Sequence, residues 1–128
     1  MTQHKDDLIK LAIEKSKKAL YDAENNVNSD SFEVALNRIY YSIFYIVTAL
    51  AYKNDFSTSK HHQLMAWFNK KFIYEDKIFD KMMYRIYEEI FEYRQKSDYD
   101  IRYVPNINKV KDLLDDAKKF ISNILKII

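Results

Sequence analysis

The absence of glycine is the feature that most restricts what this chain can fold into. Its 128 residues include no Gly and one Pro. Glycine-rich phosphate loops, the dinucleotide-binding fingerprint, the nucleophile elbow and the EF-hand loop need glycine where the backbone takes a positive φ or closely approaches a ligand. The chain therefore holds none of these sites in standard form. Because it also offers few hairpin turns, its composition predicts an all-α fold.

Hydrophobic periodicity divides the chain into five predicted helices. Apolar residues recur at helical spacing over residues 3–26, 31–53, 60–72, 76–97 and 106–128, and Pro105 indicates a loop at 98–104. A chain of 128 residues can bury one sizeable core but not two. We expect one domain over residues 1–128, an up-and-down bundle of four long helices with a short additional helix.

Composition gives no indication of export, of a membrane span or of general nucleic-acid binding. The chain has no Cys, and its net charge is +2. Its start lacks the apolar core of a signal peptide. The longest uncharged apolar stretch, residues 39–52, is shorter than the roughly 20 residues that a membrane helix needs. We expect a cytoplasmic protein without a membrane partner.

Two polar insets interrupt otherwise apolar helices. The second predicted helix carries Asn37 and Arg38, and the fourth ends with Arg94 on its apolar row, followed by Asp98 and Tyr99. A buried guanidinium that lacks its partner costs about 3–5 kcal/mol. Arg38 must therefore reach solvent at a cleft or meet a carboxylate from another helix, for which Asp98 is the best candidate. We predict that the two insets share one site.

The sequence shows no pattern typical of a metal site or of Ser-His-Asp or Cys-His catalysis. Di-metal carboxylate bundles need Glu-x-x-His pairs on core helices, and the chain has none. His61 and His62 are adjacent, so they point to different sides of a helix and do not chelate one ion. Neither a metal nor a cofactor is expected. The two histidines lie in an acid-free stretch between Asp55 and Glu75, which is either a solvated basic face or a patch that faces RNA or a partner.

Taken together, these motifs resemble a known family. The second helix reads Asn37-Arg38-Ile39-Tyr40-Tyr41-Ser42-Ile43-Phe44, the third is led by His61 or His62, and the fourth closes with Arg94-x-x-x-Asp98-Tyr99. In this order they resemble the HEPN domain, in its small stand-alone bacterial and archaeal branch. The resemblance implies a helical bundle that commonly dimerises, with the arginine motif in or near a cleft at the interface. Many members are metal-independent endoribonucleases, often toxins of toxin–antitoxin or phage-defence modules, and are frequently paired with a small nucleotidyltransferase.

One part of the family's ribonuclease motif is missing from this chain. The motif places a histidine after four to six residues beyond the arginine, whereas the corresponding positions here are Tyr99, Asp100 and Ile101. RNA cleavage without a metal needs a base for the ribose 2′-hydroxyl and a cation for the phosphate. Arg94 can hold a phosphate, but a phenol such as that of Tyr99 is a poor base at pH 7.

The leading interpretation is a HEPN-family nucleotide- or RNA-binding protein with weak or absent nuclease activity. It would act in a two-gene toxin–antitoxin module with a nucleotidyltransferase partner. The residues expected to contact the nucleotide or single-stranded RNA are Asn37, Arg38, Arg94, His61 and His62.

Two alternatives remain open. The protein is an active metal-independent endoribonuclease toxin if Arg94 acts with Asp98, Tyr99 or a histidine of the third helix as the catalytic group. It is a structural dimerisation module if Arg38, Arg94 and Asp98 only form a buried ion-pair network. We expect a homodimer, because the chain has 11 Tyr, and tyrosine is favoured at interfaces.

Overall fold

The chain folds into a bundle of five α-helices. The computed structural model describes residues 2–128. The helices are Thr2–Asn28 (α1), Phe32–Lys53 (α2), His61–Phe68 (α3), Lys81–Tyr99 (α4) and Ile107–Leu125 (α5), with a π-helical segment, Asn69–Glu75, continuing α3. No strand occurs within residues 2–128. The predicted all-α helical bundle is confirmed.

α2 lies at the centre of the bundle and contacts each of the other four α-helices. Ile39, Tyr40, Ile43, Ile46 and Val47 on this helix are fully buried. By length and composition α2 could cross a membrane, but 61% of its most apolar stretch is buried inside the bundle. The neighbouring helices cover α2 on several sides, which explains why this helix is apolar on nearly every side.

α1 and α2 form the most extensive helix–helix contact, and it contains two buried hydroxyl groups. Ser16 Oγ donates to the Ser42 carbonyl oxygen at 2.7 Å, and Ser42 Oγ donates to the Ile39 carbonyl oxygen at 2.6 Å. We call Ser16 and Ser42 the serine pair. Each hydroxyl proton has an acceptor, so neither side chain leaves an unpaired donor in the core.

The start of α4 lies later in the chain than predicted. The predicted fourth helix begins near residue 76, but α4 begins at Lys81. Asp80 caps it, because its Oδ1 accepts hydrogen bonds from the Met82 and Met83 backbone N–H groups at 3.0 and 3.3 Å. Lys77 has a φ of 50°, in the left-handed region that does not continue a helix.

Other boundaries also differ from the predicted ones: α1 continues to Asn28, and α5 ends at Leu125 and not at residue 128. The third predicted helix, residues 60–72, is α-helical only to Phe68 and then π-helical to Glu75. The wider turn brings Phe72 and Ile73, four and five residues after Phe68, to the same buried face. α4 also continues to Tyr99, so the predicted loop at 98–104 begins at residue 100.

Candidate functional site

The ring of Tyr41 is where the two polar insets meet. The guanidinium carbon of Arg38, also on α2, lies 5.2 Å from the Tyr41 ring centroid. The guanidinium carbon of Arg94, on α4, lies 5.5 Å from the same centroid. Both distances are within the range of cation–π contacts. Arg38 and Arg94, one from each inset, therefore lie beside the same ring, and we call them the arginine pair.

Arg94 is nearly buried but has unused hydrogen-bond donors. Its side chain is 11% exposed, and its Nε lies 2.8 Å from Asp98 Oδ2. This is an ion pair without a hydrogen bond, because the Nε–H group does not point at the oxygen and has no other acceptor. No residue in the described chain accepts a hydrogen bond from this guanidinium. Its carbon also lies 5.1 Å from the Tyr40 ring centroid, so aromatic faces provide much of its surroundings.

Arg38 is held by a neutral group and not by a carboxylate. Its Nε and Nη2 donate to Asn37 Oδ1 at 3.1 and 2.8 Å. The expected pairing of Arg38 with Asp98 is wrong, because Asp98 pairs with Arg94 one turn earlier on the same helix. The reason is geometric: residues four apart on a helix are neighbours, so the closer arginine takes the carboxylate. Arg38 forms no ion pair within residues 2–128 and keeps its full positive charge.

His61 enters the same site through Tyr40. The Tyr40 hydroxyl lies 2.6 Å from His61 Nδ1. The His61 ring stacks on Phe44 with centroids 4.7 Å apart, and its centroid lies 6.0 Å from that of Tyr41. His61 of α3 therefore packs in one cluster with the aromatic rings of Tyr40, Tyr41 and Phe44, of which the first two contact Arg94.

The hydrogen-bond network assigns the tautomer of His61. The Tyr40 hydroxyl has no other acceptor among the described residues, so its proton is placed toward His61 Nδ1. The neutral imidazole then carries its own proton on Nε2, and this nitrogen is a donor. A histidine in this tautomer can donate a hydrogen bond to a phosphate, but it cannot accept a proton at Nε2.

Burial sets the protonation of both groups. It lowers the pKa of His61, and electrostatic interaction with Arg94 and, to a smaller extent, with His62 lowers it further. Burial raises the pKa of Tyr40, although Arg94 opposes this shift. At pH 7 the phenol is thus protonated and the imidazole is neutral, which are the states that the assigned hydrogen bond requires.

Two of the predicted site residues lie apart from the arginine pair. The His62 ring is near Phe91, at a centroid distance of 5.2 Å, and the residue is exposed. Tyr99 is the last residue of α4 and is 75% exposed. The structure therefore brings Asn37, Arg38, His61, Arg94 and Asp98 together but leaves His62 and Tyr99 outside this group.

The aromatic residues of α2 belong to the site, although they were not among the predicted site residues. Tyr40, Tyr41 and Phe44 are the rings that contact His61, and the first two also contact Arg94. Their spacing in the motif was a usable signal, because residues three and four apart lie on one helical face. Within residues 2–128, no group of three or more His, Cys, Asp or Glu side chains is placed to hold a metal ion.

Comparison with known proteins gives consistent matches. The model of the HEPN domain family matches residues 9–128. The "Putative toxin MJ0142" of Methanocaldococcus jannaschii is 39% identical over 98 residues, which are 77% of this chain and 65% of that protein. The "UPF0332 protein" of Thermotoga maritima is 32% identical over 124 residues, which are 97% of this chain and 93% of that protein. The match thus spans less than two thirds of the Methanocaldococcus protein but nearly all of the Thermotoga protein.

Proposed function

The chain belongs to the HEPN domain family, and on that premise we propose that it binds single-stranded RNA or a nucleotide through a phosphate group at the arginine pair. One observation carries the proposal. The Arg94 guanidinium is nearly buried among aromatic rings, and it makes no hydrogen bond to the described chain. A guanidinium presents its donors in a planar fork that matches two phosphate oxygens, so a phosphate would satisfy it.

The neighbouring groups support the same ligand chemistry. Arg38 supplies a second positive charge, and Asn37 fixes its orientation through two hydrogen bonds. His61 in its assigned tautomer adds a neutral N–H donor. The carboxylate at the site, Asp98, is already engaged by Arg94. Phosphate binding at physiological pH therefore does not depend on protonation of a histidine.

We further propose that the protein acts in the cytoplasm as one component of a two-gene toxin–antitoxin module. The name of the Methanocaldococcus relative and the family membership support a toxin-type role. A nucleotidyltransferase encoded beside it is the expected partner. Co-expression of the two tagged proteins and purification of one should recover the other, and failure to recover it would remove the partner from the proposal.

Binding can be tested with a fluorescein-labelled single-stranded RNA decamer. We expect its anisotropy to rise with protein at 50 mM KCl and the affinity to fall at 200 mM KCl, because phosphate contacts release counterions. Arg94→Gln should weaken binding by about tenfold, the loss of one charge-assisted contact of about 1.5 kcal/mol. Arg85→Gln changes an exposed arginine of the same helix and serves as the control. Equal affinities for the Arg94→Gln and Arg85→Gln variants would contradict the proposal.

A second function, metal-independent RNA cleavage, is favoured by one specific contact. His61 is hydrogen-bonded to Tyr40, whose ring contacts Arg94, so an imidazole and a guanidinium do lie together. Cleavage would require the opposite tautomer, with Nε2 unprotonated and ready to act as a base. Because the assigned tautomer does not provide this, we expect little cleavage of RNA in the presence of EDTA. Rapid EDTA-resistant cleavage that is lost in both His61→Gln and Arg94→Gln would establish the ribonuclease function instead.

We also propose that the protein is a homodimer. The end of the π-helical segment and the residues up to the start of α4 expose several large apolar side chains, and Tyr74, Ile78 and Met82 are 60%, 48% and 56% exposed. Exposed apolar residues next to one another are typical of an interface. Light scattering after gel filtration should give about twice the 15.5 kDa mass of one chain, and a monomer at micromolar concentration would contradict this.

A further inference from the structure

A groove that is separate from the arginine pair lies on the α5 side of α4. It has a volume of about 510 Å³ and is formed by the last turns of α4, the following loop and the start of α5. This volume falls in the range of about 300–1,000 Å³ that is typical of small-ligand sites. Tyr93, Lys96, Tyr103, Asn108, Lys109 and Asp112 are among its lining residues. None of them belongs to the arginine pair or its aromatic cluster.

Two tyrosine rings form one wall of this groove. The centroids of Tyr93 and Tyr103 are 6.4 Å apart, and the ring planes make an angle of 61°. α4 holds Tyr93, and a hydrogen bond of 3.0 Å from the Tyr103 backbone N–H to the Asp100 carbonyl oxygen holds the loop that carries Tyr103. Both rings are partly exposed. Two lysine ammonium groups lie over the Tyr93 ring, so Tyr103 is the ring that can stack against a flat ligand.

Two lysine ammonium groups lie beside the tyrosine wall. Lys96 Nζ is 5.0 Å and Lys109 Nζ is 5.2 Å from the Tyr93 ring centroid. Lys109 also pairs with Glu89 Oε1 at 3.0 Å, so much of its charge is balanced. Lys96 forms no ion pair in the part of the chain that the structure describes. Lys96 is therefore the cation available to an anionic ligand here.

The groove is also lined by groups that can contact the edge of a flat ligand. Asp112 and Asn108 of α5 line the groove. A carboxylate accepts hydrogen bonds from exocyclic amino groups, which cytosine, adenine and guanine have and uracil lacks. The groove thus combines aromatic faces, a cation and an acceptor.

We propose that this groove binds a nucleobase of a single-stranded RNA whose neighbouring phosphate is held by the arginine pair. The inference rests on the proposed function and extends it. Tyr93 and Arg94 are consecutive residues of α4, so their side chains leave the helix about 100° apart, toward α5 and α2 respectively. A strand that crosses this end of α4 meets both. Aromatic stacking beside basic side chains is the general way in which proteins bind single-stranded nucleic acids.

The experiment compares two labelled decamers, oligocytidylate and oligouridylate, by anisotropy at 50 mM KCl. We expect Tyr103→Leu to weaken oligocytidylate binding by about fivefold or more, whereas Tyr103→Phe keeps the ring and the affinity. Tyr21→Leu, at an exposed tyrosine of α1, is the matched control. Lys96→Gln should lower the slope of log affinity against log salt by about 0.7, the value for one phosphate contact on a single strand. Wild type should bind oligocytidylate more tightly than oligouridylate, and Asp112→Ala should remove the difference.

The outcomes separate this inference from the proposed function. If Tyr103→Leu binds like Tyr21→Leu while Arg94→Gln loses affinity, the nucleobase site is wrong and phosphate binding at the arginine pair stands. If Tyr103→Leu loses affinity while Arg94→Gln does not, the groove binds bases without the arginine pair, and the link between them is overturned. Equal binding of both decamers would overturn the role of Asp112. Absence of binding to either decamer would overturn this inference and RNA binding at the arginine pair, and it would leave a free nucleotide as the ligand of the proposed function.

Discussion

The serine pair and the arginine pair each join one polar residue of α2 to one of a neighbouring helix, but they differ in how their hydrogen-bond donors are used. Ser16 and Ser42 are fully buried, and each hydroxyl donates to a backbone carbonyl oxygen. Arg94 is nearly as enclosed, yet it makes no hydrogen bond to the described residues. Arg38 uses only the neutral side chain next to it. The first pair is complete within the protein, whereas the second leaves charge and donors for another molecule.

This difference gives a physical criterion for reading a polar residue in a core helix. A buried polar group that is fully hydrogen-bonded stabilises the packing and needs no further partner. Removing a cation from water costs free energy, and the protein offsets only part of this cost when some of the cation's hydrogen-bond donors have no acceptor. A ligand that accepts those hydrogen bonds can offset the rest. By this criterion the serine pair is structural and the arginine pair is the candidate binding site.

Tyr40 connects the buried core with the arginine pair. Of the proposed substitutions, removal of its side chain should lower the free energy of unfolding the most. Its side chain is fully buried, packs on Phe91 and donates to His61. We expect Tyr40→Ala to lower the free energy of unfolding by about 3–5 kcal/mol, as is usual for large aromatic residues in cores. Tyr40→Phe, which removes only the hydroxyl, should cost about 1 kcal/mol. Urea denaturation measures both, and a loss below 1 kcal/mol for Tyr40→Ala would show that the site is not built on the core.

Much of the fold was predictable from the sequence because helical periodicity is a local property. Apolar residues at spacings of three and four predict one buried row along α5, and five of them are buried: Val110, Leu114, Ala117, Ile121 and Ile124. The two ends of that predicted row are not buried, because Ile107 is 49% exposed and Ile128 is half-buried. The errors fall where local signals compete. Asp80 proved a stronger helix start than residue 76, because its side chain caps two backbone N–H groups. The π-helical turn after Phe68 depends on packing against other helices, which periodicity along one segment does not reveal.

The candidate site was predictable only in part. That Arg38 and Arg94 meet followed from the cost of placing charges in two apolar helices. Their partners did not follow, because a sequence does not show whether a guanidinium faces a carboxylate, an amide or an aromatic ring. Asp98 was within reach of Arg94 on its own helix, and this local pairing prevailed. The contact of His61 with Tyr40 joins residues 21 positions apart in the chain, so it required the fold itself.

A pair of single substitutions tests the contrast between the two regions directly. Ser16→Ala should lower the free energy of unfolding by about 1 kcal/mol, since it removes one buried hydrogen bond, and should leave RNA affinity unchanged. Arg38→Ala should cost no more than about 1 kcal/mol, the size of a cation–π contact, because it leaves no buried carboxylate unpaired. It should nevertheless weaken binding of the RNA decamer several-fold.

Urea denaturation and anisotropy on the same two preparations decide between the alternatives. A loss of several kcal/mol for Arg38→Ala with unchanged RNA affinity would make the arginine pair structural, like the serine pair. Weaker RNA binding by Ser16→Ala would show that the α1–α2 contact also contributes to the site.

The protonation of His61 should have the smallest effect on the free energy of unfolding. It tests whether His61 is electrostatically coupled to the arginine pair. Burial and the charge of Arg94 lower its pKa below the usual value of 6.5, so the folded protein prefers the neutral imidazole. The resulting stabilisation is fully present above pH 6.5. It is lost as the pH falls from 6.5 through the lower pKa of the folded state, because the unfolded chain then binds the extra proton.

The direct measurement is an NMR titration of the His61 ring protons, assigned by comparison with His61→Gln. We expect a midpoint below 6.5, and we expect Arg94→Gln to raise it, because one of the positive charges that opposes protonation is removed. His62→Gln should raise it as well, since His62 contributes the smaller of the two charge effects. Urea denaturation at pH 7.5 and 5.5 should show a slightly greater loss of stability for wild type than for His61→Gln, and the difference isolates His61 from groups that titrate elsewhere. A midpoint at or above 6.5 that does not respond to Arg94→Gln would mean that His61 is not electrostatically coupled to the arginine pair, and its inclusion in the phosphate site would then fail.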